Sequence, residues 1–171
     1  RLAALVAAEL PLTPSHRPGP DAVRLPESRT VRLAPKTAAE VTAATRATAA
    51  EAADERTRQV FEQGRRIARN LAARRRGEPY DVDVQAVRLG GVTLVAVPGE
   101  LFLGLGEAIR AAAGPDVIVV GYANGYLGYL PARRTPPTYE TLVSPVRPGS
   151  AEQVVDAAVE VARSVTGEES A

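Results

Sequence analysis

The chain has 171 residues, 45% hydrophobic and 24% charged, with 21 basic side chains against 20 acidic ones for a formal charge of +1. That balance gives no reason to expect nucleic acid as a partner. The absence of cysteine excludes disulfides, thiolate metal sites and cysteine nucleophiles, and no apolar run reaches the roughly 18 residues of a membrane span.

All but one of the basic residues are arginine, and alanine is abundant, as expected of a GC-rich bacterial genome. The opening residues do not read as a secretory signal, which leaves cytoplasmic and secreted placement both open. Residues 2–10, LAALVAAEL, read as a helix closed by Pro11, and the four prolines of 11–21 predict a loop. Because Arg1 runs straight into that apolar stretch, the expectation is a processed subunit, the C-terminal portion of a longer polypeptide, or a chain cut for expression. In AVRLPESRTVRLAP the apolar residues Val23, Leu25, Val31 and Leu33 flank a polar run. A hairpin or one broken strand is expected there.

Thr37-Ala-Ala-Glu40 is a capping box and opens a helical segment predicted to run to about Arg76. Val60, Gly64, Ile67 and Leu71 recur at helical spacing beside Phe61, whereas VTAATRATAAEAADE has only a thin apolar face. Arg74, Arg75 and Arg76 suit a solvated helix C-terminus. Residues 81–97 read as two strands joined at Gly90-Gly91, the second apolar on both faces and so central. After Pro98-Gly99-Glu100, LFLGLGEAIRAAAG predicts a helix ended by Gly114, and VIVVGY predicts another buried strand. A last helix is expected from the Ser150–Gln153 capping signature to Val165, its apolar face made of residues 154, 155, 158, 161, 162 and 165, with 166–171 a frayed tail. The order β, α, β, β, α, β, α implies an α/β fold, or α+β, as one domain over 1–171. It has a mixed central sheet flanked by helices, among them one long Ala/Arg-rich helical segment and a C-terminal helix.

Chemistry is expected where polar residues follow buried strands. Glu100 is one such residue, and a helix N-terminus there would favour its carboxylate form; it serves either as a cap or as a metal ligand. The second place is GYANGYLGYLP, residues 121–131, holding three of the chain's five tyrosines. An extended chain puts Tyr122, Asn124 and Tyr126 on one face and Tyr129 on the other, while a helical turn unites Tyr126 and Tyr129. Tyr122 reads as strand-end packing and Tyr126 as pocket wall or core. GLGE at 104–107 lacks the third glycine of a dinucleotide loop. The sole histidine, His16, reads as structural, and no nucleophile elbow is present.

VAVPGELFLGLGEAIR, GYANGYLGYLP and the Tyr-Glu pair of PPTYE together resemble the neutral, non-lysosomal ceramidase family, in particular its short bacterial relatives and the C-terminal part of their catalytic domain. The resemblance implies a zinc-dependent hydrolase of N-acyl amides acting through metal-activated water. By motif, Glu100 and Tyr129 match the family's metal ligands, Tyr139 matches the tyrosine that supports the substrate carbonyl, and Asn124 and Tyr126 are expected in the substrate pocket. The family's two zinc histidines lie upstream, so zinc would be shared with an N-terminal half of the same precursor or with a companion subunit. The isolated chain is then expected to be inactive. The alternative is a non-catalytic α/β scaffold or interaction module that keeps the fold without the site.

Overall fold

The computed structural model describes residues 23–167. The helix expected at 2–10, the loop at 11–21, His16 and the tail beyond 167 lie outside the described residues.

Strand β1 (Val23–Leu33) pairs antiparallel with β2 (Tyr80–Leu89), from Val23 opposite Leu89 to Leu33 opposite Tyr80. It is one strand and not a hairpin. Its register slips between Arg24 and Glu27, around Pro26, which has no N–H to give the ladder and is accommodated as a bulge. The polar run that suggested a turn alternates between the two faces: Thr30 Oγ1 donates to Asp83 at 2.6 Å and Arg32 Nε donates to Asp81 at 2.8 Å on the outer face, while Arg29, opposite Val84, pairs with Glu160 of the C-terminal helix.

Thr37 caps α1 (Ala38–Ala50) through the expected box with Glu40. The long helix then breaks. Residues 51–54 are non-helical, and α2 (Glu55–Arg75) restarts at Asp54, whose side chain accepts from Thr57 N at 2.8 Å. An Ala/Thr stretch with little apolar surface has nothing to hold it helical across that point. The buried stripe of α2 is Phe61, Gly64 and Ala68, while Val60 is 42% exposed, so the expected stripe is rotated by about one position.

Strands β2 and β3 (Val92–Ala96) form the expected hairpin about Gly90-Gly91, with Gly90 at φ +61°. A crossover through β4 (Glu100–Leu101) and α3 (Leu103–Ala113) returns the chain to β5 (Val117–Val120), parallel to β3. The sheet order is β1-β2-β3-β5, with β3 central, so the sheet is mixed as expected. The two-residue β6 (Tyr129–Leu130) pairs in parallel with β4 as a separate ladder. A short α4 (Tyr139–Val143), absent from the sequence reading, precedes α5 (Ser150–Thr166).

One face of the sheet is covered by α3 and α5. Val82, Val84, Ala86, Val95 and Val97 meet Leu105 and Ile109 from α3 and Val154, Ala158, Val161 and Val165 from α5, all buried. Ser150 is the first residue of α5 and not its cap. Gly149, at φ +96°, takes that place. A second, smaller core joins Val41 of α1, Phe61 and Ala68 of α2 and Leu142 of α4.

The other face is half polar and half bare hydrocarbon. The register aligns Val87 with Leu94 and Ile118, Ala96 with Val120, and Leu89 with Val92. Ile118 is 52% exposed and Leu89 45%. The strand VIVVGY, expected to be buried, therefore buries only Val117 fully and opens its alternate residues outward.

Candidate functional site

Beyond β3 the chain stays buried through Val97, Pro98 and Gly99 and then emerges at Glu100. The tyrosine loop is laced to this turn by backbone hydrogen bonds. Val97 N donates to Val120 O at 2.9 Å, Tyr122 N to Gly99 O at 3.1 Å, Leu127 N to Pro98 O at 2.8 Å and Glu100 N to Gly128 O at 2.9 Å. They bring Glu100 opposite Tyr129 in the β4–β6 register. A Cβ on Gly99 would stand 2.5 Å from the Gly128 carbonyl oxygen, so only glycine permits this approach.

The loop itself is neither extended nor helical. Tyr122 and Asn124 sit in the left-handed region at φ +59° and +58°, and Gly125 and Gly128 have φ of +111° and +103°. The result stacks Tyr122 on Tyr126, with ring centroids 5.6 Å apart and planes 3° from parallel. Tyr126 Oη donates to Glu100 Oε1 at 2.6 Å. That bond to a carboxylate is the main reason the Tyr126 hydroxyl is pushed up to about 12, with desolvation second. The Tyr122 hydroxyl is raised by the same carboxylate, although only Tyr126 meets full hydrogen-bond geometry. Neither ring packs a core: they are 64% and 63% exposed.

Tyr129 is half-buried and lies edge-on to Tyr139, with centroids 6.5 Å apart and planes at 80°. Burial raises its hydroxyl first, and the charges of Glu100 and Glu140 add to that. Tyr139 opens α4, where Thr138 and Thr141 cap each other reciprocally. Gly64 seats it: a Cβ there would meet Leu142 at 3.0 Å and the Tyr139 ring at 3.1 Å. The motif residues Glu100, Tyr126, Tyr129 and Tyr139 thus gather at one edge, with Tyr122 joining them. Asn124 is exposed on the loop, and the hollow of about 330 Å³ beside Glu100 is lined by Phe102, Leu103, Val119 and Tyr122 and not by Asn124 or Tyr126.

Glu100 does not cap the following helix. α3 starts after Phe102, with no side-chain cap bond. Its neighbours are tyrosines, a role that no helix-spacing argument singled out. The Thr138-x-x-Thr141 pair was the available signal for α4.

Glu100 and Tyr129 offer two oxygen donors in adjacent register, part of the three or four protein ligands that zinc takes. Among the described residues no three His, Cys, Asp or Glu side chains converge. Two oxygen donors alone fall short of that number.

No protein-family model and no curated protein matches the chain. Among solved structures, a ceramidase described as complexed with C2 is similar to it, with a TM-score of 0.44 and 22% identity. The alignment covers 51% of this chain and 15% of the ceramidase chain.

Proposed function

We propose that the chain is the C-terminal portion of a zinc-dependent amidohydrolase that cleaves an N-acyl amide. Its histidine ligands would come from an N-terminal half of the precursor or from a companion subunit. The observation that carries this reading is the pairing of Glu100 with Tyr129, with Tyr139 edge-on behind, at the positions where the sequence motifs resemble the ceramidase family. The bare hydrocarbon half of the sheet supports a companion layer, because contiguous exposed apolar surface of this kind ordinarily marks an interface.

In this reading Glu100 and Tyr129 hold the metal, which when bound supplies the Lewis acid that polarises the scissile carbonyl and activates water. Tyr126, with its hydroxyl held protonated well above neutral pH, orients the Glu100 carboxylate through Oε1. Tyr139 donates its hydroxyl to the oxyanion that develops on the carbonyl. Tyr122, which lines the hollow beside Glu100, would meet the substrate, with Tyr126 stacked behind it and Asn124 on the exposed loop. One observation favours the alternative, a non-catalytic interaction module: the Tyr126 bond already gives the Glu100 carboxylate a partner without any metal.

The test is to co-express the chain with the histidine-bearing upstream segment of its reading frame and follow hydrolysis of a fluorogenic long-chain N-acyl amide. Activity is expected only in the joined protein, lost to background in Glu100→Gln and reduced about 100-fold in Tyr139→Phe. Hydrolysis by the isolated chain, or full activity in Glu100→Gln, would overturn the reading.

A further inference from the structure

Among the described residues a groove of about 840 Å³, between α1, α2 and the β1–α1 turn, shares no lining residue with the Glu100–Tyr129 edge. Its floor is small and apolar. α1 contributes buried Val41 and exposed Ala38, and α2 contributes half-buried Ala72 and exposed Ala73. Its rim is cationic, with Arg46 from α1, Arg69 from α2, Arg76 from the C-cap of α2, and Arg147 from the loop before α5. No carboxylate lines it.

Arginines along a helix are ordinarily solvated or paired with a neighbouring acid, and α2 has both kinds: among the described residues Arg56, Arg66 and Arg74 make no ion pair and do not line the groove. Arg58 pairs with Glu55 and Arg65 with Glu62, both at i,i+3. Among the described residues Arg46, Arg69 and Arg76 make no such pair, and all three face the groove. Arg147 is held by Glu40 at 2.8 Å. Lys36, buried at the inner end, donates to the carbonyl oxygens of Thr141 and Leu142 and adds positive potential without reaching the rim. Thr45 also lines the groove, and its hydroxyl is buried with no partner among the described residues.

We propose that this groove binds an anion carrying an apolar body, of the class of a single-chain alkyl carboxylate or alkyl phosphate. The head would sit among Arg46, Arg69 and Arg76, where charge-assisted hydrogen bonds fix it, and the chain would lie on the alanine floor. An inorganic anion would use the rim and leave the floor wet. An uncharged amphiphile would use the floor and leave the arginines without partners. The volume falls within the range that small-molecule sites occupy. The ligand is charged, unlike a neutral N-acyl amide, and the site is separate, so this proposal and the proposed hydrolase each stand or fall alone.

Isothermal titration of the full chain with dodecanoate and with dodecyl phosphate, each below its micelle concentration, tests it. One molecule of either should bind per chain, with inorganic phosphate and dodecyl maltoside weaker by about tenfold or more. Binding should also weaken as salt rises. The charge reversal R69E/R76E should lower affinity about tenfold. Ala73→Leu, which fills the floor without touching the charges, should weaken dodecyl phosphate while leaving the melting temperature near that of the parent. Equal binding of phosphate and dodecyl phosphate would reduce the groove to an adventitious ion site and overturn the proposal. So would equal binding of the uncharged amphiphile, undiminished binding in both variants, or binding only to acidic peptides or anionic vesicles.

Discussion

The four-stranded sheet and the two-residue β4–β6 pair are built by opposite means from one stretch of chain. The sheet gains its order from long registers and from alternation, with Val82, Val84, Ala86, Val95 and Val97 turned onto α3 and α5. The pair has only two register partners, Glu100 with Tyr129 and Leu101 with Leu130. It is held by backbone hydrogen bonds, a glycine contact and residues in the left-handed region. Ionisable hydroxyls and a carboxylate collect where packing contributes least, because a polar constellation inside the sheet would need every group satisfied. The lesson is one of division: the sheet supplies stability, and the pair supplies position.

Three substitutions break or sharpen that division. Ile109→Ala removes a fully buried side chain from the sheet's core and should cost about 2–5 kcal/mol in urea unfolding. The alkaline titration of Tyr126, read by absorbance of the phenolate, should stay where it is. A Tyr126 shift in that variant would mean that the two regions are one unit. Gly99→Ala forces the Pro98–Glu100 turn away from Gly128 and should cost about 1–3 kcal/mol. Here the Tyr126 hydroxyl should fall from about 12 toward its ordinary value, because Glu100 is carried off.

Glu100→Gln is the mildest, within about 1 kcal/mol at neutral pH. The folded protein holds Tyr126 above its unfolded value of 10, so the stability from that bond is fully present below pH 10 and is lost as pH climbs toward about 12. The variant should lack that alkaline loss. Parallel alkaline melting curves for parent and variant would show that the Tyr126–Glu100 bond contributes nothing.

The sheet was legible because its information is periodic: the alternation of 81–97 and the Gly90-Gly91 turn specify a central hairpin by themselves. The break at 51–54 was missed because Asp54 as a cap is a one-residue signal inside a helix-forming run. The bare side of β5 was missed because VIVV is apolar on both faces whether or not a second layer covers it. At the candidate site the residue types were legible and the geometry was not. The Tyr122–Tyr126 stack depends on left-handed residues at 122 and 124, which are unusual for a tyrosine and unreadable from spacing. Glu100 was placed correctly at the strand's end, but its partner is a hydroxyl from the next loop and not a helix N-terminus.

We propose that Glu100 and Tyr129 are part of a zinc shell completed by another segment. Equilibrium dialysis against zinc tests it most directly, comparing the isolated chain with the chain joined to its upstream segment. The account predicts one tightly bound zinc in the joined protein, affinity lowered about tenfold or more by either Glu100→Gln or Tyr129→Phe, and no stoichiometric binding by the isolated chain. Tight zinc binding that survives both substitutions, or that the isolated chain achieves alone, would contradict it.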